Sequence, residues 1–237
     1  MNYVKHAILL AAGKGDRMRP ITLTTPKPLV QVNGVRMIDS VIMALHKNGI
    51  KEIYIVVGYL KDQFRSLPVR YPGVHLIENP YYDTCNNISS LYVAREHLGD
   101  SIILDGDQII YNPEILAPEF ERSGYNAVWC AEKTKEWLMQ VENGIVRSCS
   151  RTGGSCGWQL YSISRWTAED GARLRKHLEI EFEENKNRQI YWDDVALFCY
   201  PDQYSLGIRE MKKTDIREID TIAELAEADP SYNSFQA

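Results

Sequence analysis

Hydrophobic positions along this chain follow two distinct periods. Ala7-Ile8-Leu9-Leu10-Ala11-Ala12 is an apolar run without alternation, the pattern of a strand buried on both faces of a parallel sheet. A basic, glycine-containing loop follows, and then Met37, Ile38, Val41, Ile42 and Leu45 recur at helical spacing as far as Asn48-Gly49, a helix C-terminus. Glu52 to Gly58 and Val74 to Glu78 read as further strands, with a short helix over Leu60 to Ser66 between them. Ser89 to Leu98 reads as a helix feeding the strand Ser101-Ile102-Ile103-Leu104, which ends at Asp105-Gly106-Asp107. Strand, helix and strand in this order imply right-handed parallel crossovers. Ligands of open α/β sheets collect beyond the carboxyl ends of the strands, so the glycine loop and the acidic turn are expected at one crevice.

From Tyr125 the pattern shortens. Asn126 to Ala131, Met139 to Val141, Ile145-Val146 and Gly157 to Ile163 are β-like pieces, with Asn143-Gly144 as a hairpin turn. Thr167 to Glu184 reads as a helix with a charged outer face, opened by Thr167 and Asp170 at capping-box spacing. The tail from Asp229 to Ala237 reads as a frayed end or the start of a linker. The expected fold is α/β, with a Rossmann-like mixed, mostly parallel sheet and a small β-rich lobe.

Composition narrows the function classes. Of 237 residues, 44% are hydrophobic and 25% charged, the balance of a soluble globular protein. Against 27 basic side chains stand 32 acidic ones, a net charge of −5, which argues against the broad basic patch of a nucleic-acid binder. No apolar run approaches the roughly 20 residues of a membrane span, and the stretch after Met1 to His6 is too short for a signal peptide. Cys85, Cys130, Cys149, Cys156 and Cys199 are odd in number and lack CxxC spacing, which favours reduced thiols and a cytoplasmic protein. The five histidines sit in no motif and read as surface or boundary residues. The charge run from Glu179 to Arg188 reads as a solvated face. Nothing in the sequence sets an oligomeric state.

Candidate chemistry concentrates in Leu10-Ala11-Ala12-Gly13-Lys14-Gly15-Asp16-Arg17-Met18-Arg19-Pro20 and the following Pro26-Lys27-Pro28-Leu29. The glycines allow close approach of a ligand to backbone N–H groups, and Arg17, Arg19 and Lys27 carry charge suited to a polyphosphate. The segment matches neither the dinucleotide fingerprint nor the Walker A loop. Asp105 and Asp107 at a strand end suit a hard divalent cation or a simple turn about equally.

This signature, L-A-A-G-x-G-x-R-x-x-P with a following P-K-x-L, resembles that of the sugar-phosphate and amine-phosphate nucleotidylyltransferases, and the resemblance runs through nearly the whole chain. It implies that Leu10, Ala11, Ala12, Gly13 and Gly15 wrap the base and triphosphate of a nucleotide, with Asp105 nearby. It implies that Arg17 and Lys27 act on the phosphates, and that Asp107 and Asp220 bind Mg²⁺. Asn86 to Tyr92 and Tyr191-Trp192-Asp193-Asp194 look more like the bacterial phosphocholine cytidylyltransferases, with Asn87 and Ser90 offering hydrogen bonds to base and ribose; Asn87 or Ser89 would otherwise simply cap a helix. By the same resemblance Trp137, Tyr191, Asp193 and Asp194 bind the acceptor. Aromatic faces attract a quaternary ammonium by roughly 0.5–2 kcal/mol each, while Trp129, Trp158 and Trp166 are assigned to the core.

The implied substrates are CTP and an amine-bearing phosphate or phosphonate. Phosphocholine is the first expectation, and 2-aminoethylphosphonate or phosphoethanolamine the alternative. A non-catalytic nucleotide sensor on the same fold is a third reading. Residues 1–237 are expected to form one domain, with 1–124 the nucleotide core and 125–237 the acceptor-binding part. Family members occur fused to a kinase or an aminotransferase, and such a junction would fall after Asp229.

Overall fold

The computed structural model describes residues 1–235. Four of the expected strands form the parallel half of a nine-stranded sheet: β1 (His6–Ala11), β2 (Glu52–Val57), β3 (Val74–Glu78) and β4 (Ser101–Asp105). Their order is β4-β1-β2-β3, every neighbour parallel. Because β1 is covered on both faces, successive residues serve different cores. Ala7, Leu9 and Ala11 pack with Ile38, Val41, Ile42 and Leu45 of α1 (Met37–Lys47). Ile8, Leu10 and Ala12 pack with residues of α2 (Ile88–Val93) and α3 (Ala168–Glu179) on the opposite face. Each fully buried aliphatic side chain is worth about 1.5–3 kcal/mol, against about 0–1 kcal/mol for a surface ion pair, so this strand and not the charge lattice fixes the fold. Gly49, at φ 76°, supplies the left-handed residue that ends α1.

The remaining strands are β5 (Gly124–Cys130), β6 (Leu138–Glu142), β7 (Ile145–Ser150), β8 (Gly157–Trp166) and β9 (Gly207–Glu210). The C-terminal end of β8 pairs antiparallel with β4, Ile163 opposite Leu104, and continues the sheet in the order β5-β9-β7-β6-β8-β4-β1-β2-β3. β5 also pairs with β8, so the pairings of these five strands close into a circuit. The architecture is thus the expected mixed α/β sheet, parallel in one half, with a β-rich lobe built from the other. Asn143 and Gly144, both at positive φ (51° and 74°), turn β6 into β7 as the hairpin signal predicts.

Several local expectations change. The helix expected over Ser89 to Leu98 is α-helical only at Ile88–Val93 and tightens to a 3₁₀ turn at Arg95–His97. The helix expected to reach Glu184 is α-helical to Glu179 and widens into a π-turn at Ile180–Glu184. Thr167 caps the Asp170 N–H at 3.1 Å, but the Asp170 carboxylate pairs with Arg173 at 2.5 Å, leaving half a capping box. The Asn87 side chain does not cap α2, and the Ser89 hydroxyl donates to Asn86 O instead. Trp129 is 51% exposed, edge-on to Trp158, and only Trp166 of the three tryptophans assigned to the core is fully buried. His177 is buried against the Tyr204 hydroxyl, and Glu181, within the supposed solvated run, is buried and accepts from Asn185, Asn187 and Tyr200.

After a single turn α4 (Trp192–Asp194), the chain returns through α5 (Ile222–Ala228) to a 3₁₀ turn at Pro230–Phe235. This tail is docked, not frayed: the Asn33 N–H donates to Asp229, and the Tyr232 hydroxyl donates to Gln31 O at 2.9 Å. Gln236 and Ala237, the rest of the predicted tail, lie outside the described residues. Among the described residues no helix is long and apolar enough to cross a membrane, and the five cysteines are free.

Candidate active site

The carboxyl ends of β1 and β4 meet because their turns are tied together. The Gly106 N–H donates to Leu10 O at 2.9 Å, and a Cβ at Gly106 would stand 3.3 Å from that of Ala11. Gly15, at φ 65°, lets the basic loop fold over Lys27, where a Cβ would meet Lys27 Cβ and Thr22 Cγ2 at 3.0 Å each. Around Gly13, in contrast, a Cβ would meet nothing within 4 Å, which leaves backbone open to a ligand.

These turns open on a cleft of about 570 Å³. Thirteen of the sixteen residues named from sequence line it: Leu10, Ala11, Gly13, Gly15, Arg17, Lys27, Asn87, Asp105, Asp107, Trp137, Tyr191, Asp193 and Asp220. Three do not. Ala12 packs in the core beneath the loop, and its carbonyl accepts from the Tyr59 N–H. The Ser90 hydroxyl is buried against the Asn79 amide at 3.1 Å. Asp194 is held away from the cleft by Arg151 and the Tyr191 N–H. Asn87 spends its side-chain amide oxygen on the Trp192 N–H at 2.9 Å, which ties the start of α2 to the segment after Tyr191.

Lys27 is the hinge of the electrostatics. It is only 7% exposed, and its ammonium donates to Asp107 at 2.5 Å and Asp220 at 2.6 Å. Burial acts to lower its pKa, but the two carboxylates outweigh it and the net shift is upward. Arg17 pairs with the same Asp220 oxygen at 2.8 Å, and Arg19, which does not line the cleft, pairs with Asp16, which does. The basic loop is therefore already neutralised by neighbouring carboxylates. Seven carboxylates line the cleft against two basic side chains.

That surplus appears in the titration of the cleft acids. Burial, with the Asp107 charge next, pushes Asp105 up to about 7. Burial, with the charges of Asp107 and Asp105, pushes Glu218 up to about 8. Asp193 is raised well above the carboxylate range by burial and by Asp105. Oxygens of Asp105, Asp107 and Glu218 lie within 4.8 Å of one another, and Asp107 Oδ1 is buried with no hydrogen-bond partner. Hard oxygen donors, excess negative charge and an unsatisfied carboxylate oxygen fit a divalent cation such as Mg²⁺. Asp107 belongs both to this trio and to the pair with Asp220 that holds Lys27.

Glu218 also lines the cleft, although the sequence assigned it no role. It ends a short strand, Ile216–Glu218, paired with Gln108–Ile110. Its spacing of two from Asp220 puts both on one face if the segment is extended, and that was the available signal. Glu136, Ser162 and Leu160 complete the far wall. There Trp137 and Tyr191 meet edge to face, centroids 5.7 Å apart, with Tyr191 47% exposed.

The MobA-like NTP transferase domain matches residues 7–181 of the chain. A 2-aminoethylphosphonate cytidylyltransferase of Lancefieldella rimae is 39% identical over 96% of this chain and 93% of its own length. A choline-phosphate cytidylyltransferase of Streptococcus pneumoniae is 33% identical, covering 91% and 93%. The solved CTP:phosphocholine cytidylyltransferase of Streptococcus pneumoniae superposes with a TM-score of 0.89 at 31% identity, over 97% of this chain and 99% of the other. By this family match and these identities and coverages, the chain belongs to the MobA-like NTP transferase domain family and is a nucleotidyltransferase of the cytidylyltransferase group.

Proposed function

We propose that the enzyme transfers CMP from CTP to 2-aminoethylphosphonate, releasing pyrophosphate. The observation that carries this reading is Asp193, a buried carboxyl group on the cleft wall whose Oδ1 makes no well-formed hydrogen bond, with the Tyr125 hydroxyl beside it. A primary ammonium brings N–H donors that can satisfy this oxygen and Glu136, whereas a trimethylammonium has none. The likeness to the Lancefieldella rimae enzyme, at 39% identity against 33% for the choline-phosphate enzyme, supports the same choice. Phosphocholine, the first expectation from sequence, remains the second reading, favoured by the Trp137–Tyr191 pair on the cleft wall.

In this account an acceptor phosphonate oxygen attacks the α-phosphorus of CTP in line, a P–O bond forms, and the bond to pyrophosphate breaks. The acceptor oxygen is already ionised, so no general base is required. The task is to hold two anions together and to offset the charge of the transition state. Backbone around Gly13 and Gly15 receives the nucleotide. Lys27 turns its ammonium from Asp107 and Asp220 toward the α-phosphate and the acceptor, and Arg17 bears on the outer phosphates. Asp107 and Asp220, with Asp105 and Glu218 adjoining, would hold Mg²⁺. Bound there, the ion supplies Lewis-acid charge to the phosphates. Residues 1–124 then form the nucleotide half and the later residues the acceptor half, in a reducing cytoplasm suited to five free thiols.

The test is steady-state pyrophosphate release with CTP, Mg²⁺ and each of 2-aminoethylphosphonate, phosphoethanolamine and phosphocholine. The phosphonate should lead phosphocholine in kcat/KM by at least about tenfold. Equal or better use of phosphocholine overturns the choice, and no release with any acceptor despite CTP binding revives the sensor reading.

A further inference from the structure

We propose that Arg151 is a positioning residue for acceptor binding, fixing Trp137 and Tyr191 from behind the wall they form. Arg151 follows β7 and is not among the residues lining the cleft. Its Nε donates to Asp194 Oδ1 at 2.7 Å, and its Nη2 stands 2.6 Å from the same oxygen. Asp194 is buried, and its other oxygen accepts from the Tyr191 N–H at 2.8 Å. The guanidinium therefore fixes, through one carboxylate, the backbone that presents Tyr191.

The same guanidinium lies over Phe198, its Cζ 3.6 Å from the ring centroid, and 5.9 Å from the centroid of Trp137. Phe198 in turn meets Trp137 edge to face at 5.5 Å. Arg151 thus reaches both aromatics of the acceptor wall, Tyr191 through hydrogen bonds and Trp137 through stacking. It joins the β6–β7 ribbon to α4, two segments that are far apart in sequence. A planar fork that both stacks and hydrogen-bonds is a role lysine cannot reproduce. Asp194, read from sequence as an acceptor ligand, takes the middle position in this relay.

The proposal rests on Trp137 and Tyr191 forming the acceptor wall, but not on which amine is bound. Arg151→Ala should raise the acceptor KM roughly tenfold to a hundredfold while kcat at saturation and the CTP KM stay within about twofold. Arg151→Lys, which keeps a charge beside Asp194, should fold as the parent does and show the same split at smaller size. An acceptor KM within twofold of the parent in both variants overturns the proposal, as does a parallel rise in both KM values. A second readout needs no turnover: in 5-fluorotryptophan protein, the ¹⁹F resonance assigned by Trp137→Phe should shift or broaden in Arg151→Lys, while that of Trp166 holds. An unmoved Trp137 resonance overturns the proposal whichever acceptor is right, whereas a moved one with no turnover of any acceptor tested faults only the acceptor assignment.

Discussion

The two halves of this sheet build their shares of the cleft by different means. In the parallel half, backbone does the placing: the Gly106 to Leu10 hydrogen bond and the tight fit of Gly15 over Lys27 fix the glycine loop and the acidic turn. In the antiparallel lobe, side chains do it, through Arg151, Asp194, Phe198 and the edge-to-face aromatics. Backbone placement is insensitive to most substitutions and suits the part of the reaction that all acceptors share. Side-chain placement changes with single residues and suits the part that distinguishes them. Variants in the parallel half should therefore cut turnover with every acceptor, and variants in the lobe should change the choice among acceptors.

The largest effect is expected at Lys27. Lys27→Ala should lower kcat by about a thousandfold with the CTP KM changed only a few-fold, as read by pyrophosphate release on protein whose melting curve confirms folding. Unchanged turnover would remove Lys27 from the chemistry. Next come the carboxylates around it. Asp107→Asn should raise the Mg²⁺ concentration needed for half-maximal rate by about 10–100-fold, equally for all acceptors, with Asp220→Asn close behind and Glu218→Gln smaller. Removing divalent ions with EDTA should abolish turnover and Mg²⁺ should restore it. A Glu218→Gln effect exceeding that of Asp220→Asn would shift the metal from the Asp107–Asp220 pair to the carboxylate trio.

The smaller effects belong to the lobe. Asp193→Asn should raise the KM for 2-aminoethylphosphonate about tenfold and leave that for phosphocholine nearly unchanged. An equal loss for both would place Asp193 on the nucleotide side and weaken the contrast between the halves. Least of all, Trp129→Ser should cost about 1 kcal/mol of stability or less in a thermal melt and nothing in activity, because Trp129 is half exposed and meets Trp158 edge-on, away from the cleft lining.

The same contrast explains what the sequence disclosed. The parallel half was legible almost to the residue, because its strands are apolar runs with a single buried solution and its loop is a contiguous motif. The lobe's strands and its Asn143-Gly144 turn were also legible as local signals. Tertiary pairing was not. Ser90 and Asp194 are polar residues in the right segments, but they are consumed by Asn79 and Arg151, partners far away in sequence for Asp194 and hidden in a buried turn for Ser90. Glu218 stands among acidic neighbours in a segment with no motif of its own, and only the pairing of Ile216–Glu218 with Gln108–Ile110 brings it to the cleft. Arg17 and Lys27 read as free positive charge because a sequence shows cations without the carboxylates that meet them.

The central claim is that Asp193, a buried carboxyl group on the cleft wall, selects a primary ammonium. Its most direct measurement is a competition: enzyme, CTP and Mg²⁺ with equal concentrations of 2-aminoethylphosphonate and phosphocholine, the two products resolved by their phosphonate and phosphate ³¹P resonances. The account predicts that the phosphonate product leads by at least about tenfold and that Asp193→Asn erodes the lead. Equal products, or a lead for CDP-choline, would contradict it.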